Sequence, residues 1–202
     1  IDKDNPDEAY EADVAINFSV PSAAYKNISD ALKRGIPVIC GTTGWLDQLG
    51  DIESLCKENN GAFIYASNFS LGVNLFFELN KKLAGYMKPF PEYKVEIEEI
   101  HHTQKLDAPS GTAITLAEGV LENSKHTEWH LDGETGEGIP IKALREDEVP
   151  GTHTVGYHSE VDSIEIIHTA HSRTGFALGA VVAAEWIVGK SGVFGMKDVL
   201  GL

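Results

Sequence analysis

Along the first seventy residues two hydrophobic textures alternate. Short apolar runs fall at residues 13–19, 37–40 and 62–66, and each is followed by a stretch whose apolar positions recur every third or fourth residue. The first periodic stretch starts at Pro21, a favoured first helical position, with Ser19 as its candidate cap. It places Ala24, Ile28, Ala31 and Leu32 on one face and ends at Gly35. The second carries Leu46, Leu49, Ile52 and Leu55 on one face, runs to about Asn59 and is broken by Gly61. Strand, helix, strand, helix, strand with short connections predicts a parallel, doubly wound sheet. Ligands of such sheets bind beyond the carboxyl ends of the strands, here residues 17–19, 41–44 and 66–68.

Beyond Asn68 a helix carrying Leu75, Phe76, Leu79 and Leu83 is expected, and Lys88-Pro89-Phe90-Pro91 ends it. The texture then changes. An alternating run leads to His101, a helix is expected over about 113–122, and strand-like runs occupy 139–144, 152–158 and 164–170. Strands grouped in this way predict a second, mixed or antiparallel sheet. An apolar helix over 175–188 and a tail over 189–202 close the chain. The fold class is therefore α/β plus α+β, a Rossmann-like parallel sheet followed by a mixed-sheet domain.

Composition narrows the partners. A net charge of −15 across 202 residues speaks against nucleic acid and anionic membrane surfaces. The apolar runs are too short to span a bilayer, and residues 1–11 are polar and acidic rather than a secretory leader. Cys40 and Cys56 make no disulfide framework, so a reducing cytoplasm is expected. With only 16 Lys and Arg, those beside histidines are the candidates for holding an anion.

Two constellations carry chemistry. Gly41-Thr42-Thr43-Gly44 joins a strand to a helix, where N–H groups and hydroxyls can meet a nucleotide or a substrate edge. The glycine-rich dinucleotide fingerprint and a P-loop are both missing from the sequence. The denser constellation is residues 96–113, with His101, His102, Lys105 and a Ser110-Gly111-Thr112 helix start. Adjacent strand residues face opposite ways, so His101 and His102 cannot share a face. Parity also breaks between Ile97 and Ile100, which predicts a bulge or a strand end. Glu96, Glu98 and Glu99 are expected to orient the histidines and raise their pKa. Ser110 is the expected cap, leaving N–H groups for a carboxylate. Of the remaining histidines, His171 with Arg173 is the pair that best suits a pocket. His126 and His130 have the spacing of ligands on one helical face but lack a third, so no metal is expected.

The run Glu96-x-x-Glu99-x-His101-His102-x-x-Lys105-x-Asp107-Ala-Pro109-Ser110-Gly111-Thr112-Ala113 resembles the signature of the dihydrodipicolinate reductases. Residues 38–44, 66–74, 171–176 and 194–200 resemble stretches of the same family. The resemblance implies reduction of 4-hydroxy-tetrahydrodipicolinate with NADH or NADPH, on the diaminopimelate route to lysine, by a cytoplasmic homotetramer. It implies His101 and Lys105 as the proton-handling residues. His102, Lys105, Ser110, Gly111 and Thr112 would bind the cyclic dicarboxylate. Gly41, Thr42, Thr43, Ala66, Ser67, Asn68 and Phe69 would line the cofactor. The domains implied are a partial dinucleotide-binding domain over 1–70, a substrate-binding and oligomerisation domain over 71–173, and a segment over 174–202 that returns to the first. The family's opening strand, glycine-rich turn and helix are absent from the sequence, which implies a truncated first half. Two other outcomes stay open: another nicotinamide-dependent reductase of the same domain order, and a fragment that binds dicarboxylate and oligomerises without holding cofactor.

Overall fold

Strand and helix alternate at the start of the chain as the hydrophobic texture predicts. The computed structural model describes residues 12–131 and 138–202, so the acidic residues 1–11 lie outside the described part. The elements β1 (Ala15–Asn17), α1 (Pro21–Lys33), β2 (Val38–Cys40), α2 (Leu49–Glu58) and β3 (Ala62–Tyr65) form the parallel ladder β1-β2-β3. Two units result: Ile1–Leu71 with Thr174–Leu202, and Gly72–Arg173.

In the first unit the central strands β2 and β3 are buried on both faces, as expected inside a parallel sheet. Val38, Cys40 and Phe63 pack with Ile28, Leu32, Trp45 and Ile52 of the α1 and α2 side. Ile39 and Ile64 point the other way, against Ala180, Ala183, Ala184 and Ile187 of α5 (Thr174–Ile187). A fourth strand, β9 (Gly192–Phe194), pairs in parallel with β3, and α6 (Met196–Leu200) follows. Three residues, the first a glycine and followed by another, carry no readable strand period, so the sequence shows this segment only as a tail.

Two local expectations change. The cap of α1 is Val20, with no side-chain cap bond, rather than Ser19. Pro21 at the first helical position has no N–H to satisfy, and the Ser19 hydroxyl instead lies 3.4 Å from the Val20 carbonyl. The second helix starts as a 3-10 turn, Leu46–Gln48, which leaves Leu46 exposed; the buried residues of α2 are Ile52 and Cys56.

The second unit is a five-stranded mixed sheet in the order β5-β6-β4-β7-β8, namely β5 (Trp129–Leu131), β6 (Ile139–Arg145), β4 (Lys94–His101), β7 (Thr152–His158) and β8 (Ser163–Thr169). β4 is central, parallel to β6 and antiparallel to β7. The short β5 escapes the sequence pattern. The helices α3 (Leu71–Met87) and α4 (Gly111–Asn123) supply Phe76, Ala84, Met87, Leu116, Ala117 and Val120 against Val95, Ile97, Ile139, Ile141 and Val155 of the sheet. Fully burying the larger of these side chains stabilises by about 1.5–3 kcal/mol each. α3 buries a stripe through Val73, Phe76, Asn80, Ala84 and Met87, leaving Leu75 and Leu79 about half exposed. Asn80, wholly buried, donates to the Leu116 carbonyl at 2.9 Å and ties α3 to α4.

One close approach in the first unit is decisive. A Cβ on Gly179 of α5 would lie 1.7 Å from the Phe69 carbonyl oxygen, a backbone atom that cannot swing aside. Only glycine lets α5 press on the segment after β3. Gly179→Ala is expected to destabilise the unit by about 2 kcal/mol or more, read as a lower urea midpoint with an unchanged slope.

Candidate active site

The parity break in residues 95–100 is not a bulge. β4 keeps unbroken register with β7 from Lys94–His158 to Ile100–Thr152, and with β6 as far as His101–Arg145. Alternation then puts Val95, Ile97, Glu99 and His101 on the buried face. The apolar parity ends because two polar residues continue the same face.

Glu99 is 0% exposed, and a buried carboxylate must be paired. The Ser110 N–H donates to both of its oxygens at 3.2 and 3.1 Å. Arg145 of β6 donates from Nη2 to Oε1 at 3.2 Å. His101 Nδ1 and His153 Nε2 stand 3.6 and 3.7 Å from Oε2. The two imidazoles meet edge to face with centroids 5.0 Å apart, and His153 Nε2 lies 3.2 Å from Ser110 Oγ. Burial pushes the Glu99 carboxyl up, but the close approach of His153, the bonds from Ser110 and the charge of His101 outweigh it and hold it at about 2. Glu96 and Glu98 turn to the other face, toward His158 at 3.3 Å and Lys142 at 2.8 Å.

The expected rise in histidine pKa is overturned for His101. Burial drives it down; Glu99 pulls it back, and His153, Lys105 and Arg145 push it further, to about 4. A single carboxylate does not offset desolvation among that many positive neighbours.

Arg145 also organises the loop after β4. It donates to the Lys105 carbonyl at 3.3 Å and the Asp107 carbonyl at 2.6 Å. Lys105 Nζ sits between both Asp107 oxygens, at 2.8 and 2.9 Å, and this bond lowers the Asp107 pKa. Ser110 is the cap of α4, as expected, and accepts the Ala113 N–H at 3.2 Å. Among the described residues no acceptor meets the N–H groups of Gly111 and Thr112, which are exposed and half-buried respectively. His102 is half-buried on the opposite parity, 3.4 Å from Arg173 Nη2. Of the residues named from the sequence, His101 and Ser110 meet at Glu99, and the backbone of Lys105 is tied to Arg145; His102 lies on the opposite parity, and Lys105 Nζ is already paired with Asp107. Arg145 and His153 were missed, because only strand register brings them to Glu99. The signal for a partner was present in Glu99 itself, an acid on the parity of Val95 and Ile97.

His126 and His130 share no helix, since His126 follows α4 and His130 lies in β5. Glu99, His101 and His153 do bring ligand atoms within 4.8 Å of one another. The Arg145 guanidinium on the same carboxylate sets a positive charge against any cation there.

In the first unit, the loops after β1, β2 and β3 carry the other predicted residues. The Gly41 N–H donates to the Asn17 carbonyl and the Ala66 N–H to the Cys40 carbonyl. Thr42 is buried, with its hydroxyl on the Ser19 carbonyl at 3.2 Å and its own carbonyl accepting Trp45 Nε1 at 2.6 Å. Thr43 and Ser67 are exposed, and Asn68 Oδ1 accepts the Ser70 N–H at 2.9 Å. The Phe69 ring is 1% exposed, within the core and 5.6 Å from the ring of Phe18, so this residue offers a ligand only its backbone.

Comparison with known proteins agrees along the whole chain. Residues 1–69 match the model for the N-terminus of dihydrodipicolinate reductase, and residues 72–200 match the model for its C-terminus. A 4-hydroxy-tetrahydrodipicolinate reductase of Christiangramia forsetii is 64% identical over 192 residues, 95% of this chain and 80% of the relative. One from Methanosarcina mazei is 40% identical over 95% of this chain and 74% of its own length. The dipicolinate-bound dihydrodipicolinate reductase from Paenisporosarcina sp. TG-14 superposes with a TM-score of 0.76 at 26% identity, covering 91% of this chain and 71% of that one. The chain belongs to the dihydrodipicolinate reductase family.

Glu99 and His101 both destabilise the fold in acid. With His101 at about 4 rather than 6.5, the unfolded chain takes up its proton first, so stability present above 6.5 is lost as pH falls toward 4. Glu99, at about 2 rather than 4.5, adds a loss between those values. Urea unfolding at pH 7 and pH 4.5 should show wild type losing about 2 kcal/mol more than His101→Gln; equal losses would remove His101 as the cause.

Proposed function

We propose that this chain reduces 4-hydroxy-tetrahydrodipicolinate to tetrahydrodipicolinate with NADH or NADPH, in the diaminopimelate route to lysine. The observation that carries it is the start of α4. Its open Gly111 and Thr112 N–H groups follow directly on Ser110, which meets the same Glu99 carboxylate that faces the buried His101, in a chain of the reductase family.

Helix N-termini bind carboxylates through such N–H groups. Gly111 and Thr112 would take one carboxylate of the ring, with Lys105 and His102 on the other. The Lys105–Asp107 pair leaves Asp107 largely exposed, and exposed pairs are worth about 0–1 kcal/mol, so an incoming carboxylate displaces Asp107 at small cost. Loss of water from the substrate leaves a conjugated cyclic imine. Reduced nicotinamide, when bound, would supply hydride to a ring carbon, and the resulting enamine would be protonated at the neighbouring carbon. His101 delivers that proton, and Lys105 fixes the ring and assists the transfer.

The cofactor suits the first unit, a parallel sheet whose strands end in exposed, small or polar residues, notably Thr43 and Ser67. Gly41, Thr42, Ala66, Asn68 and the Phe69 backbone complete its expected contacts. We further infer a homotetramer; the apolar Val161 and Ile167, at 90% and 58% exposure beside and on edge strand β8, are suited to burial against further copies. A reducing cytoplasm fits the two buried free thiols.

Nicotinamide oxidation, followed with substrate supplied, should be fast for wild type. His101→Gln and Lys105→Ala should each cut kcat by about a hundredfold with the fold intact by circular dichroism. Near-wild-type rates in both variants would refute the proton-handling roles of these two residues. Light scattering checks the assembly, with a monomer as the result against it.

A further inference from the structure

We propose that Glu99 is a positioning residue for the proton transfer: its carboxylate holds His101 with Nδ1–H turned inward and leaves Nε2 as the nitrogen that exchanges a proton with the substrate. The inference rests on the reductase reading for its function and on geometry for its substance. His101 is 7% exposed, and its Nδ1 is buried without a hydrogen-bond partner. The polar atom facing that nitrogen is Glu99 Oε2 at 3.6 Å, within easy closing distance of a charge-assisted bond. On the other side, a Cβ on Gly151 would sit 3.1 Å from His101 Nε2, so glycine keeps the space before that nitrogen open.

The groups around His101 come from every neighbouring element: Glu99 from β4, His153 from β7, Arg145 from β6 and Lys105 from the following loop. Three of these are basic, so a proton on His101 is opposed from three directions and supported from one. Glu99 is that support. It is itself held by the Ser110 N–H and Arg145, which fixes the carboxylate before any proton arrives. A carboxylate bonded to one ring nitrogen also sets which tautomer the neutral ring adopts.

The tautomer can be read on the wild-type chain by nitrogen-15 NMR of labelled imidazoles at pH 7. The Nδ1–H form of His101 is expected, and the Nε2–H form would overturn the proposal. This measurement needs no turnover, so its outcome is separate from that of the reductase reading. The kinetic arm uses Glu99→Gln, which keeps an acceptor for Ser110 but removes the charge. It should lower kcat about tenfold or more, while KM and the affinity for dipicolinate change by less than about threefold. The limb of the kcat–pH profile that reports His101 should move to lower pH, and Glu99→Asp should restore it in part. A Glu99→Gln profile superimposable on wild type, or a loss confined to KM, would overturn the proposal.

Discussion

A fully buried carboxylate, Glu99, is the constraint on which the second unit depends. Removing a carboxylate from water costs several kcal/mol even after relaxation, as much as burying two or three aliphatic side chains returns. The cost is tolerable only with dedicated partners, and these come from three separate elements. Ser110 brings the start of α4, Arg145 brings the end of β6, and His153 brings β7. Meeting one electrostatic requirement therefore fixes four backbone segments, and the site residues ride on those segments.

The same pairing suits an acidic protein to the proposed anion site. Arg145 is committed to Glu99 and to the carbonyls of the Lys105 loop, so its charge serves architecture. Lys105 is held by Asp107, in a pair that water reaches. These two ion pairs differ in the way that matters. Breaking a buried pair costs about 3–5 kcal/mol, whereas exchanging an exposed one costs almost nothing. On the proposed reading, a dicarboxylate would claim Lys105, the helix-start N–H groups and His102 while Arg145 stays in place.

Much of this fold is legible in the residues alone. The alternating textures predict β1 to β3 with α1 and α2, and Ser110 announces itself as a cap because a small hydroxyl residue precedes an apolar helical run. What is not legible depends on register. His153 and Arg145 are ordinary residues of ordinary strands until pairing sets them across from Glu99 and His101. β5 and β9 are too short to carry a period, and each exists because a neighbouring strand offers an edge. The pKa of His101 departs from expectation for a further reason. Its sequence neighbours include three acids, but the pleat sends two of them to the opposite face, and the fold adds cations that lie far along the chain.

That departure also says what kind of site this is. Catalytic groups commonly sit on loops, where geometry is adjustable and imprecise. His101 instead closes a central strand that buries Val95 and Ile97 on the same face, without a bulge to redirect it. The strand is held on its two sides by β6 and β7, and the His101 ring is confined by Glu99, His153 and Gly151. Core becomes site along one strand by a change of side chain alone. The price is a histidine that binds a proton poorly; on the proposed reading, two carboxylates arriving at Lys105 and α4 would bring negative charge toward His101. On that reading the site would become competent to hold the proton when the dicarboxylate is bound, which would tie proton delivery to the presence of substrate.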